Sequence, residues 1–203
     1  MGFLVKKGSL AEGKNYFWDT IDDLPKAENI TYEEYVRNPE FLDMPVINEG
    51  EEKIHLLVAI FDTGDNYLHF KMTGSTYSVD WGDGNTIVYE SGELVEHIID
   101  WNNIDSSTLT SDGYRQAMIT ITPVGGTLTG LDFIEYDYTG AYNTYHRSSN
   151  ILSVYMSGEN ISTFDFSNSN SYIHNILEEF IYVGTNQITN FSTSFYNCFL
   201  LDR

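Results

Sequence analysis

Asp80, Asp83 and Asn85 bring three oxygen-bearing side chains close together in the run TYSVDWGDGNT, and Asp62, Asp65 and Asn66 repeat the arrangement in FDTGDN. Oxygens at that spacing suit two kinds of chemistry. They can help to hold Ca2+, a hard cation that takes roughly six to eight oxygen ligands. They can instead accept backbone N–H groups and fix a tight reversal, as Asp and Asn do at turns. Neither group has the full ligand set of a calcium loop, so turn-holding is the first reading and Ca2+ the only cofactor the sequence suggests. The other chemistry-bearing residues give less. His55, His69, His97, His146 and His174 have no metal-ligand spacing. No G-x-S-x-G, H-E-x-x-H or phosphate-gripping glycine loop is present. Cys198 reads as a small buried apolar residue. Asp22-Asp23 and Glu178-Glu179 could serve as glycosidase carboxylates, but adjacent acids in so acidic a chain are expected on a solvated face. The expectation is a protein that is not an enzyme and has no catalytic residues.

Composition sets further limits. Thirty acids against ten bases give a formal charge of −20 over 203 residues. That balance argues against nucleic acid and against anionic lipid, and leaves a solvated surface, divalent cations or a basic partner. No run of about 18 apolar residues exists, so no membrane span is expected. The start MGFLVKKGSLAEGKNYF has lysines but no apolar core after them, unlike a signal peptide, and Lys6 stands where a myristoylation signal needs Ser or Thr. A single cysteine allows no internal disulfide and fits a reducing cytoplasm.

The elements that must position these residues fall into three segments. Residues 1–53 are polar and hold Pro25, Pro39 and Pro45, with scattered large apolar groups and no period. Their one local element is a short helix in TYEEYVRNPE, with Thr31 and Glu34 as a capping box and Pro39 as its stop. Such an arm becomes ordered by lying on its own next domain or on a partner. Phe17, Trp18, Phe41 and Leu42 are the side chains expected to dock.

Residues 54–124 alternate in short β runs: IHLLVAIF, YLHFKMTG, TYSVDW, NTIVYES, LVEHIID and YRQAMITITP. About six strands with turn signals every eight to twelve residues predict a small β-sandwich. Side-chain alternation sends Tyr77, Val79 and Trp81 to one side, and Asp83-Gly84 is expected as a two-residue turn with both residues at positive φ. Fifteen tyrosines and twelve phenylalanines supply this core, with a carbohydrate-stacking surface as the alternative use.

TYSVDWGDGNT, the later Val95-Glu96-His97, and Gly113-Tyr114 before AMITITP together resemble the PKD-type, immunoglobulin-like β-sandwich. On that resemblance Trp81, Gly82, Asp83 and Gly84 are the signature turn, His97 is its histidine, and Gly113 with Tyr114 opens the last strand. The linker IIDWNNIDSSTLTSD is longer than that family's usual one. The resemblance covers the 54–124 segment and implies a non-catalytic spacer or adhesion module.

Residues 125–203 change pattern again. LTGLDFIEYDY, ILSVYMSGENISTFDF and ILEEFIYVGTNQITNF share a shape, and the pairs Leu152/Leu177, Gly158/Gly184 and Phe164/Phe191 recur at a nearly constant separation. A period in the mid-twenties predicts a solenoid. Ile181, Val183, Asn186 and Ile188 follow L-x-L-x-x-N-x-L, and Phe195, Cys198 and Leu201 resemble the F-x-x-C-x-x-L segment of BspA-type leucine-rich repeats. The apolar ending FLLDR leaves that solenoid uncapped, so either its open end packs on another subunit or the chain continues; the second is expected.

The expected fold is therefore mostly β: an extended N-terminal arm, a PKD-like sandwich, then the start of a leucine-rich-repeat-like solenoid. That module order is similar to bacteriophage fibre and tail proteins. It implies a virion structural protein made in the host cytoplasm, in several copies, docking on other virion proteins through residues 1–53 and facing a host glycan or protein. The alternatives are a bacterial surface adhesin or lipoprotein, and an accessory module of a glycan-active enzyme.

Overall fold

The computed structural model describes residues 3–4, 36–64, 66–136, 145–147, 150–165 and 176–183, with the backbone alone at 3–4, 134–136 and 145–147. Thirteen strands are found there: β1 (Phe3–Leu4), β2 (Lys53–Ile60), β3 (Tyr67–Gly74), β4 (Tyr77–Asp80), β5 (Thr86–Tyr89), β6 (Leu94–Ile98), β7 (Arg115–Pro123), β8 (Leu128–Asp132), β9 (Ile134–Tyr136), β10 (Tyr145–Arg147), β11 (Ile151–Ser157), β12 (Thr163–Asp165) and β13 (Glu179–Tyr182). The chain is mostly β, as expected, and the six alternating runs of 54–124 become β2 to β7.

Two sheets face each other. The larger runs β1-β13-β11-β2-β7-β4-β5 and the smaller β12-β8-β3-β6, while β9 and β10 form a separate pair lying against β3. Period-2 alternation fills the space between the sheets: Ile54, Leu56, Val58 and Ile60 from β2, Leu68, Phe70 and Met72 from β3, and Ala117, Ile119 and Ile121 from β7 are buried in one cluster. Full burial of such a side chain is worth roughly 1.5–3 kcal/mol, so this cluster is the main favourable term in the fold.

The boundary expected at residue 124 marks a change in pairing, not a break between cores. β8 pairs antiparallel with β3, and β11 pairs antiparallel with β2. Val154, Phe164, Leu177 and Phe180 belong to the same buried cluster as Trp81. What changes is direction: β13 lies parallel to β11 and β12 parallel to β8. Val154 sits opposite Phe180, and their separation along the chain matches the period of the sequence. The leucine-rich register does not follow. Phe180 and Tyr182 are the buried apolar side chains of β13, whereas Ile181 is half-buried and Val183 is exposed. Phe180 to Val183 is an unbroken apolar run, so alternation cannot choose its inner face, and a slip of one residue reverses every side chain. Asn186, Ile188, Phe195, Cys198 and Leu201 lie outside the described residues.

Part of the outer face of the larger sheet, around β2, is covered as well. β2 is apolar on both sides, and Leu57 and Ala59 pack outward with Phe41, Tyr114 and Leu152. Continuous apolar strands of this kind are buried on both faces. The segment ahead of β2 supplies that cover. Its expected helix lies mostly outside the described residues; its last part, Val36–Asn38, is not helical, and a turn closes with Phe41 N–H donating to Asn38 O at 3.0 Å.

Candidate functional site

The chemistry-bearing residues of the WGDG segment meet at the closed end of the β4–β5 hairpin. Asp80 pairs with Thr86, and Trp81 N–H donates to Asn85 O at 3.0 Å, so the loop is Trp81 to Asn85. This corrects the two-residue Asp83-Gly84 turn. Gly82 (φ 70°) and Gly84 (φ 92°) take the left-handed conformation, and Asp83 does not. Two side-chain bonds make the longer loop: Gly82 N–H donates to Asp80 Oδ1 at 3.0 Å and Asn85 N–H to Asp83 Oδ1 at 3.0 Å. Each aspartate therefore tucks in the residue two places ahead, the behaviour that makes Asp a turn residue. The glycines differ in their surroundings. A Cβ on Gly82 would lie 2.6 Å from Met118 O of β7, whereas one on Gly84 would meet open space.

Trp81 is fully buried, with Phe70 and Tyr89 at ring-centroid distances of 5.9 and 6.5 Å. His97 of β6 stacks on the indole at 4.3 Å and its Nε2 lies 2.8 Å from Asp83 Oδ2. Asp83 thus bonds across from the larger sheet's hairpin to the smaller sheet's terminal strand. Its side chain is only 2% exposed. Burial raises the Asp83 carboxyl, but the His97 hydrogen bond and then those from Asn85 outweigh it, and the group sits below its usual 3.8. The three side chains form a clamp that ties loop, indole and both sheets together.

The candidate Ca2+ donors are turned to other work. Asp80 Oδ1 accepts from Gly82, and Asp83 uses one oxygen for Asn85 and the other for His97. Asn66 bonds Phe61 in both directions, accepting its N–H and donating to its carbonyl, each at 2.8 Å. Among the described residues no group of three or more His, Cys, Asp or Glu is placed to hold a metal ion. Asp65, His174 and Cys198 lie outside those residues. Gly113 (φ 84°) precedes Tyr114, which is buried on the outer face and packs on Phe61 at 5.6 Å. The long linker before it is shaped by Asp100 and Asp105, whose carboxylates cap two short 3-10 turns at Trp101–Asn103 and Ser106–Thr108.

Two site residues expected to dock on a partner are engaged with this chain. Phe41 is 5% exposed and Leu42 packs beside it on the outer face. Gln116, buried on β7, accepts from Leu42 N–H at 3.0 Å and donates to Glu40 O at 2.7 Å. Arg37 donates to the carbonyls of Phe41 and Leu42 and to Glu179 at 3.2 Å. Segment 37–47 is thus a strap bound to the sheet, because an apolar outer face leaves an aromatic ring a large area to cover within its own chain. Phe17 and Trp18 lie outside the described residues. Glu179 is likewise not on a solvated face: it is 9% exposed and paired with Arg37. Sequence reading missed Gln116 and Arg37. The available signal was Leu57 and Ala59 on the second face of β2, which require a cover.

Comparison with family models, with curated proteins and with solved structures gives no match for this chain.

Proposed function

We propose that the chain is a non-catalytic structural component of a bacteriophage particle, a fibre, tail or capsid-attached protein. The antiparallel, PKD-like part acts as a rigid spacer, and the parallel strands after it begin a stack projecting toward the host surface. One observation supports this reading: β13 stacks parallel on β11 one sequence period further along, within the same sheet as β2. Growth by a constant step is how a solenoid lengthens, each unit burying its apolar face on the last, and β1, antiparallel on β13, ends the described run in this sheet. A projection built this way shares its core with the spacer and needs no hinge between them. Attachment to other virion proteins falls to residues between β1 and the strap, since Phe41 is occupied and Phe3–Leu4 pairs with β13. The exposed end meets a host glycan or protein.

Antibody raised against the folded chain tests the reading on particles purified from cells that make the protein natively. Gold labelling at a tail, fibre or capsid vertex in electron micrographs supports it. Labelling confined to the host envelope favours the surface-adhesin alternative, and unlabelled particles overturn the proposal.

A further inference from the structure

The two edges of the seven-stranded sheet are finished differently. At one edge β1 lies antiparallel on β13. At the other, β5 has β4 on one side and no described strand on its far side. An edge strand turns the N–H and C=O groups of alternate residues outward, a ready template for another strand. Natural edges are blunted by Lys, Pro, a bulge or an inward charge. Thr86-Ile87-Val88-Tyr89 has none of these, and its register with β4 is unbroken. Val88 is 58% and Ile87 39% exposed, and β6, which ends the smaller sheet, leaves Ile98 71% exposed. Three of the eight large apolar side chains exposed among the described residues therefore lie on these two terminal strands.

We propose that the β5 edge is a strand-addition site for an extended, basic segment of a partner protein. The charge of the surroundings selects that occupant. Residues 72–114 build both terminal strands and their loops with eight Asp or Glu and no Lys or Arg, and Lys71 of β3, which comes up to Gly92 in the β5–β6 loop, leaves that balance strongly acidic. Thr86, Val88 and Glu90 share one face by alternation, and Ile87 shares the other with Tyr89. An added strand with apolar side chains on the Ile87 side extends that rim of the core. Lys or Arg on the opposite side lays its aliphatic stem over Val88 and brings its charge to Glu90. A second copy fits poorly, since two chains of −20 repel.

The test uses the full-length 15N-labelled chain and two synthetic peptides, acetyl-VKVKVKV-amide and its Glu counterpart acetyl-VEVEVEV-amide. The basic peptide is expected to shift and protect the amides of Thr86–Tyr89, with affinity falling as salt rises. Val88→Lys places a gatekeeper charge on the edge and should weaken that binding about tenfold at unchanged melting temperature. Glu90→Gln with Glu93→Gln should weaken it about threefold and flatten its salt dependence, a charge readout in a variant that leaves the strand intact. Equal binding of the acidic peptide, amide shifts away from β5, or affinity unmoved in both variants overturns the proposal. So does a free chain that sediments as a dimer dissociated by Val88→Lys, which gives the edge to a second copy.

Discussion

The inner face of the larger sheet and the part of its outer face around β2 are both buried, yet by different means. The inner face meets the smaller sheet through apolar side chains, centred on Trp81 and its stacked His97. The outer face is covered by the 37–47 strap, with Phe41 as its one large buried ring and polar pins at Gln116, Glu179 and Ser111. It also encloses His55, 4% exposed, whose Nδ1 lies 3.0 Å from Thr120 Oγ1. Dispersion and water exclusion dominate the first interface, with the Asp83–His97 bond as a polar tie whose contribution is lost as pH falls through the lowered Asp83 pKa. Matched polar groups fix the position of the apolar cover at the second, so it fails when a partner or a protonation state is wrong. A cover pinned by polar groups is specific in position, because a buried amide without partners costs about 1–3 kcal/mol.

The largest expected effect is on the inner face. Trp81→Ala removes the ring that Phe70, Tyr89 and His97 surround and should cost roughly 3–5 kcal/mol, read as a lower denaturant midpoint. A loss under about 1 kcal/mol would show that the indole is not the centre of this core.

On the outer face Phe41→Ala should cost less, about 2–3 kcal/mol, because a strap can settle where a sheet cannot. Gln116→Ala should cost about 1–3 kcal/mol by stranding Leu42 N–H and Glu40 O. Equal losses for Phe41→Ala and Trp81→Ala would erase the distinction between the faces. A fragment beginning at residue 54 lacks the strap altogether and should melt lower than the full chain, contrary to an arm that only serves a partner.

The two loop glycines meet different surroundings, one against β7 and one in open space. Gly82→Ala combines left-handed strain with a clash on Met118 O and should cost about 2–3 kcal/mol, against about 1 kcal/mol for Gly84→Ala, where strain acts alone. A reversed order in thermal melts would mean that the hairpin does not approach β7 as described.

The smallest effect is the pH response of the outer face. Burial first, and the Lys53 charge second, push the His55 imidazole below its usual 6.5, against the pull of Glu51. The unfolded chain then takes up a proton near pH 6.5 that the folded chain refuses until lower pH. Stability from this group is present above that value and declines as pH falls toward the folded pKa. Comparing His55→Gln with the natural chain isolates the effect: the natural chain should lose more stability between neutral and mildly acid pH. Parallel pH profiles would remove His55 from the account.

The strands of the sandwich follow from residue order. Alternation over 54–124 is a local property, and each polar-apolar step points one side chain inward and the next outward, so Trp81 was readable as buried from its neighbours Tyr77 and Val79. The turn-holding bonds of the WGDG loop were readable too, because Asp80 and Asp83 each accept a backbone N–H only two residues ahead; the bond from Asp83 across to His97 was not. Features at long separation, or in runs without alternation, needed the folded chain. The apolar second face of β2 required a cover, but only the fold shows that Phe41 provides it and that Gln116, 74 residues from Leu42, pins it. The run from Phe180 to Val183 is apolar throughout, so its inner face was settled by pairing with β11. The recurring period was visible in the sequence; that it extends the sandwich's own sheet was not, because strand pairing across such distances is fixed by packing and leaves no local trace.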